Sequence, residues 1–206
     1  MYLPEHFREN KTTRLHELMR RHSFATVVSK QYGELMASHL PLLIDTARGE
    51  RGTMVGHMAR ANPQWRSFDS SAEALVIFQG PHTYVSPSWY ETELTVPTWN
   101  YVAVHAYGTP RLIEGDGLLD ILRGTVQRYE SRFAEPWTID RLPDEFVAKL
   151  TKAIVGFEIP IARLEGKLKL NQNRTEADRR GVIAALSAAG DEMSMAVAQL
   201  MRQLAV

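Results

Sequence analysis

The chain has 206 residues, 44% of them hydrophobic, so it is long enough to bury a substantial core within one domain of ordinary to large size. Lysine plus arginine and aspartate plus glutamate both total 24, so the formal net charge is zero and no global basic excess indicates a nucleic-acid binder. The absence of cysteine excludes disulfides, thiolate catalysis and cysteine-ligated metals, and no apolar run approaches the ~18 residues of a membrane span. We therefore expect a cytoplasmic protein that makes no membrane contact.

The first half of the chain is rich in short strand patterns. Leu15, Leu18 and Met19 lie at helical spacing and predict an amphipathic helix over residues 12–22. A hairpin follows, because alternating residues on both sides enclose a polar turn at 31–33. The predicted strands, with one helical turn at 59–66 among them, cover residues 24–30, 34–45, 53–57, 74–79, 83–86 and 99–108. The prolines at 81, 87 and 97 are expected at strand edges, since proline has no N–H to donate.

The pattern changes to a helical period after residue 115. Helices are predicted over 116–133 and 143–153, and extended structure returns at 154–170 to close the sheet. Several short strands joined by hairpin-length links favour a barrel. The expected fold is therefore mainly β with helices, and the expected first domain is 1–174, with a helical insertion at about 116–153.

The last 32 residues form a predicted C-terminal helical segment, 175–206. Thr175 with Asp178 three residues later is typical of a capped helix start, and an apolar stripe continues after Gly190. Two positions for this segment remain open at the level of sequence. It packs either on its own barrel or on the surface of a partner subunit.

Four segments in a fixed order place His, Asn, Ser or aromatic residues beside Pro or Gly at the edge of an apolar run. They are residues 37–41 (ASHLP), 56–63 (GHMARANP), 80–90 (GPHTYVSPSWY) and 96–101 (VPTWNY). Scaffolds present ligand-binding side chains at such positions. The segments therefore predict one binding site assembled from several strands.

Together with residues 1–7 and 166–174, these segments resemble the PaiB family, the FMN-binding negative transcriptional regulators. The resemblance extends from residue 1 into the last helix and so covers essentially the whole chain. It implies the flavin-binding split β-barrel of the pyridoxamine-phosphate oxidases, an antiparallel α+β fold with peripheral helices. It also implies a homodimer, because flavin sites in this fold lie between subunits.

The resemblance places the FMN phosphate and ring edge along the second and third strands and the turn after them. The matching residues here are Ser38, His39 and Pro41 in the first stretch, with His57 and Arg60 in the second. The oxidase relatives carry arginine and lysine on strand two, whereas this chain has His39 followed by apolar residues. The cationic candidates are therefore Arg60, His57 and, on resemblance alone, Lys167.

The aromatic string at 98–101 supplies the remaining candidates. Strand alternation sends Trp99 and Tyr101 to one side and Asn100 to the other. If the aromatic pair is core, Asn100 faces a cavity or partner subunit and its amide is able to bond the flavin ring edge. The alternative is an asparagine at the strand start that bonds backbone, and His82 is more simply a hydrogen-bonded turn residue.

Three alternatives remain open beside an FMN-binding regulator. One is a flavin-dependent oxidoreductase that acts on a small molecule, and another is a haem-binding or haem-degrading split barrel. The third is an apo-protein whose pocket has lost its flavin. DNA binding would require a local basic face, at Arg14, Arg20 and Arg21 or at Arg174, Arg179 and Arg180. A metal site is not expected, because the histidines are spread over separate strands.

Overall fold

The computed structural model describes residues 1–31, 33–68 and 72–204, and its chain divides into two compact units. Unit 1 comprises residues 1–15, 79–104 and 165–204, and unit 2 comprises residues 16–78 and 105–164. The described residues form ten strands and five α-helices, and every described strand pairing is antiparallel. This confirms the predicted antiparallel α+β class. No helix among the described residues is long and apolar enough to cross a bilayer.

The elements follow one another along the chain with short connections. The α-helices are α1 (Thr12–Arg21), α2 (Asp116–Glu130), α3 (Asp144–Thr151), α4 (Glu176–Ala188) and α5 (Glu192–Gln203). The strands are β1 (Arg8–Glu9), β2 (Phe24–Gln31), β3 (Glu34–Pro41), β4 (Leu43–Asp45), β5 (Thr53–Ala59), β6 (Ala74–Val85), β7 (Thr98–Gly108), β8 (Arg111–Ile113), β9 (Ile154–Pro160) and β10 (Arg163–Lys169). Short 3₁₀ helices occupy Glu5–Phe7, Pro63–Ser67, Pro87–Trp89 and Ile139–Arg141.

Unit 2 contains a hairpin and a four-stranded sheet. β2 pairs with β3 along its whole length, and the predicted turn between them contains Gly33 at φ 90°, where glycine avoids the strain of a left-handed backbone. Tyr32, also in that turn, lies outside the described residues. β2 also pairs with the first half of β6. The second sheet has the order β4-β5-β9-β8.

The core of unit 2 includes Phe78 and Phe157, which are both fully buried, and burial of each stabilises the fold by ~1.5–3 kcal/mol. The Phe157 ring packs against Phe68 with the centroids 5.2 Å apart. Two glycines permit close backbone contact there. A Cβ at Gly156 would lie 2.9 Å from the Ile113 carbonyl oxygen, and one at Gly108 would lie 2.1 Å from that of Pro160.

Unit 1 is built on strands β1, β10, β7 and the second half of β6, in that order. Gly80 lets β6 approach β7, because a Cβ there would meet Val102 at 3.1 Å. The predicted cap of α4 is confirmed, since the Asp178 amide donates to Thr175 Oγ1 at 3.1 Å. α4 and α5 pack against each other, and Gly181 allows α4 to contact the Trp89 carbonyl.

Three predicted boundaries are wrong. The expected strand over 34–45 is two strands in different sheets, because the chain crosses between them at the buried Leu42. The expected strands 74–79 and 83–86 are one continuous strand, so Pro81 lies inside β6 instead of at an edge. The helical turn predicted at 59–66 is the 3₁₀ helix Pro63–Ser67, whose first turn Asn62 caps by accepting the Gln64 amide.

Candidate functional site

The β5 corner, defined here as residues 57–65 at the end of β5 together with Ser38 of β3, holds the densest group of predicted site residues. Ser38 is half-buried, and its Oγ accepts a hydrogen bond from Asn62 Nδ2 at 2.7 Å. Pro41 ends the same strand, and its carbonyl oxygen lies 3.4 Å from where a Cβ on Gly56 would be. The loop after β5 is therefore fastened to β3.

His57 presents an unused ring nitrogen in this corner. Its side chain is half-buried on β5, and its Nδ1 is fully buried and has no hydrogen-bond partner among the described residues. Burial lowers the pKa of His57 below its ordinary value of 6.5. The imidazole is therefore neutral at pH 7 and can offer either a lone pair or an N–H to a ligand.

Arg60 uses part of its guanidinium to hold the chain together. Its Nε donates to the carbonyl of Lys152 and its Nη2 to that of Ile154, both at 2.9 Å, so it joins the end of β5 to the start of β9. The guanidinium carbon also lies 5.9 Å from the Trp65 ring centroid. Since arginine has five N–H donors, three remain for a ligand.

Arg60 also lines a cavity of about 590 Å³ between α2, α3 and β9. The cavity has apolar walls that include Leu118 and Val147 and a charged rim that includes Arg123 and Asp140. None of the other seven predicted site residues lines it. Arg60 is therefore the one predicted residue of the described chain that faces this space.

His39 lies away from the cavity on the exposed face of β3. Its ring stacks on Phe24 of β2 with the centroids 6.3 Å apart and an interplanar angle of 29°. Phe24 is 68% exposed, so the pair is a surface feature. His39 is thus available to a ligand or to a partner that covers this face.

Gln64 is a residue of the corner that sequence reasoning missed. Its side chain is fully buried, and its Nε2 donates to the carbonyl of Val27 at 3.0 Å and to Ser29 Oγ at 3.1 Å. Its Oε1 has no partner among the described residues. The available signal was a long polar side chain directly after the Asn-Pro pair, inside a 3₁₀ turn that points it into the sheet.

Unit 1 holds the aromatic candidates, and the two faces of β7 differ in burial. Alternation is confirmed, but Trp99 is 53% exposed and Asn100 is fully buried. Asn100 Nδ2 donates to Met201 Sδ at 3.4 Å, and its Oδ1 has no partner among the described residues. Asn100 is buried because α5 covers its face of β7.

Trp99 belongs to an aromatic cluster, defined here as His82, Tyr84 and Trp99. The Trp99 ring centroid lies 6.2 Å from that of His82 and 6.3 Å from that of Tyr84. Tyr84 is 44% exposed. His82 is a residue of β6 and not of a turn, with its Nδ1 3.3 Å from the Gly80 carbonyl oxygen.

Lys167 is buried on β10. Its Nζ donates to the Tyr2 carbonyl at 3.0 Å and lies 5.2 Å from the ring centroids of both Tyr2 and Tyr101. A carbonyl and two aromatic faces stabilise this ammonium in a buried position. Of the eight predicted residues, the structure thus places five in unit 2 and three in unit 1: Ser38, His39, Pro41, His57 and Arg60, then Trp99, Asn100 and Lys167.

A family model described as "Putative FMN-binding domain" matches residues 1–163 of the chain. Among curated proteins, the Bacillus subtilis "Protease synthase and sporulation protein PAI 2" is 38% identical over 201 residues, which cover 98% of this chain and 96% of that protein. The chain belongs to the PaiB family of FMN-binding-domain proteins. An uncharacterised Emericella nidulans protein is 30% identical and covers 98% of the chain, with 97% of its own length aligned.

Solved structures identify the fold of this family member. The FAD and haem binding protein from Mycobacterium smegmatis aligns with a TM-score of 0.61 at 18% identity, over 89% of this chain and 80% of that one. The flavocytochrome Anf3 from Azotobacter vinelandii aligns with a TM-score of 0.58 at 14% identity, over 84% and 75%. These likenesses confirm the predicted split-barrel fold, and the family match confirms a flavin-binding protein of the PaiB type.

Proposed function

We propose that the β5 corner holds FMN, with His57 and Ser38 at the ring edge and Arg60 at the phosphate. The observation that carries this assignment is the buried, unpartnered Nδ1 of His57, in the family's FMN-binding domain. A buried nitrogen without a partner costs free energy unless a ligand completes it. A flavin carbonyl or ring nitrogen supplies that partner.

The side chains present fit the two ends of the cofactor. A phosphate requires charge-assisted donors, and Arg60 has three N–H groups left after its two carbonyl bonds. An isoalloxazine ring requires polar groups along one edge, and Ser38 Oγ and the neutral His57 provide them. In unit 1, Trp99 is exposed whereas Asn100 is buried on the opposite face of β7, so these two side chains do not form one ring-binding surface.

Bound FMN supplies one- and two-electron redox chemistry. The role of this chain's residues is to bind it and to set the protonation of its surroundings. Burial keeps His57 neutral, so the corner presents no imidazolium to the ring at pH 7. The guanidinium of Arg60 would distinguish phosphorylated from unphosphorylated flavin, because its planar fork suits a phosphate.

The absorption spectrum of the protein as purified tests this proposal. Bound FMN gives the two visible bands of oxidised flavin, and His57→Leu should reduce flavin occupancy without unfolding the chain. A Soret band would support haem instead, which is the second candidate because an exposed imidazole, His39, stands on a flat sheet face. A spectrum with neither feature after addition of FMN would refute the assignment.

We also propose a homodimer in which flavin binding and association are one event. Support comes from the exposed aromatic cluster of β6 and β7 and from Phe24, since surfaces of this kind cover partner subunits. Dilution should then release flavin and produce monomer together, as followed by flavin fluorescence and sedimentation. A monomer that retains flavin with unchanged affinity would contradict the proposal.

We propose that any regulatory role in the cytoplasm depends on a partner or a small-molecule signal, and not on direct, specific binding of DNA by the isolated protein. The basic groups identified in the sequence are largely used internally: Arg14 pairs with Glu9 at 3.3 Å, Arg180 with Glu176 at 3.1 Å, and Arg174 covers the Tyr90 ring. We expect only weak, salt-sensitive DNA binding by the isolated protein. Retention of one genomic fragment in gel shifts at ~200 mM salt would overturn this expectation.

A further inference from the structure

A second cavity in unit 2 is lined by basic and apolar residues that do not belong to the proposed flavin site. It has a volume of about 380 Å³ and lies between the end of α1, the strand β4 and the last turns of α2. The residues that line it are Arg20, Ser23, Leu42, Leu43, Ile44, Gly124, Gln127, Arg128 and Ser131. None of them belongs to the β5 corner, so this inference does not rest on the proposed flavin site.

Two arginines give the cavity a positive end. Arg128 Nη2 donates to the Arg20 carbonyl at 3.0 Å, and Arg20 Nη2 donates to Thr46 Oγ1 at 3.0 Å, so the Arg128 guanidinium is held at the end of α1 and the Arg20 guanidinium beside the residue that follows β4. Neither arginine has a carboxylate partner among the described residues, and no residue that lines the cavity is acidic. Each guanidinium retains four donors.

The other end of the cavity is apolar. Leu42 is fully buried, and Leu43 and Ile44 are half-buried along β4. Gly124 faces this floor without a side chain, and a Cβ there would come 3.1 Å from Leu43 Cδ1. The glycine therefore keeps space open above the apolar strand.

We propose that this cavity binds a small organic anion, with its carboxylate or phosphate head between Arg20 and Arg128 and its apolar body along residues 42–44. The guanidinium fork suits both head groups, because each presents two oxygens for parallel N–H bonds. Ser131 and Gln127 add polar groups to the lining. The volume is at the lower end of the ~300–1,000 Å³ typical of small-molecule sites, so the occupant is compact.

Calorimetric titration of the full chain tests the proposal with four probes: octanoate, octyl phosphate, octanol and acetate. The anions with an eight-carbon tail should bind, while octanol lacks the head group and acetate lacks the apolar body. Whichever of octanoate and octyl phosphate binds more tightly identifies the head group. Binding of octanol equal to that of both anions, or of acetate equal to that of octanoate, would overturn the proposal.

Arginine variants locate the site. Arg128→Met and Arg20→Met should each weaken the better anion by about tenfold, the effect of losing one charge-assisted hydrogen bond. Arg180→Met is the matched control, since it removes the same charge from an exposed position on α4. Flavin absorbance should be unchanged in all three. Unaltered anion affinity in both cavity variants, or equal weakening in the control, would refute the assignment.

Discussion

Replacement of Arg60 by alanine separates the structural role of this side chain from its proposed role in FMN binding. The first role is structural, because the guanidinium bonds two carbonyls at 2.9 Å. Each bond contributes about 0.5–1.5 kcal/mol at an exposed position, so Arg60→Ala should lower the free energy of unfolding by about 1–3 kcal/mol. For a chain of this size that corresponds to a fall of several degrees in the unfolding midpoint.

The second, proposed role is recognition of phosphate, which FMN has and riboflavin lacks. A charge-assisted hydrogen bond is worth about 1.5–3 kcal/mol, so Arg60→Ala should weaken FMN by about 10- to 150-fold. Riboflavin should weaken much less, because it makes no such bond. Fluorescence titrations of both ligands, performed well below the unfolding midpoint of the variant, give the two ratios.

Arg66→Ala is the control for these titrations. The Arg66 guanidinium carbon also lies 5.9 Å from the Trp65 ring, and its side chain is exposed, so the variant removes an equivalent charge from the same turn. Its FMN affinity should stay close to that of the parent. Equal weakening of FMN and riboflavin in Arg60→Ala would place the phosphate elsewhere and leave Arg60 with its structural role alone.

Three further variants test the packing and the titration of buried groups. Gly108→Ala should destabilise the chain by at least ~1–3 kcal/mol, because its Cβ would lie 2.1 Å from the Pro160 carbonyl oxygen, and an unchanged denaturation midpoint would contradict this. Burial works to raise the pKa of Asp178, but hydrogen bonds, including two from Thr92, hold it below its ordinary 3.8. Stability should therefore fall as the pH drops below 3.8, and Asp178→Asn should remove that loss. Burial lowers the pKa of His57, so protonation disfavours the folded state, and the free energy of unfolding should decline as the pH falls below 6.5. The same decline with pH in His57→Gln would refute this.

Local signals predicted the elements in which one pattern dominates. The stripe of Leu15, Leu18 and Met19 gives α1, and all three side chains are buried. The Thr175 cap gives the start of α4 because the hydroxyl, the amide that it accepts and the helix start are neighbours in sequence. Such elements depend on contacts within a few residues, which a single sequence displays directly.

Long-range contacts decided the parts that sequence reasoning could not reach. Residues 41–44 form a continuous apolar run, whose period cannot show that the chain changes sheets at Leu42. The alternation of β7 is visible in the sequence, but the side that is buried depends on α5, whose Met201 covers Asn100 about a hundred residues later. The tether between Arg60 and the start of β9 spans a similar separation.

In the proposed site, the polar groups of the β5 corner determine how firmly FMN would be held. Ser38 is engaged with Asn62, Arg60 is partly engaged with backbone carbonyls, and His57 is neutral, so the corner offers a single full positive charge to the phosphate. His39 is exposed and stacked on Phe24. Because affinity for a phosphate dianion rises with the number of charge-assisted donors, this arrangement favours a flavin that exchanges with solution over one held permanently.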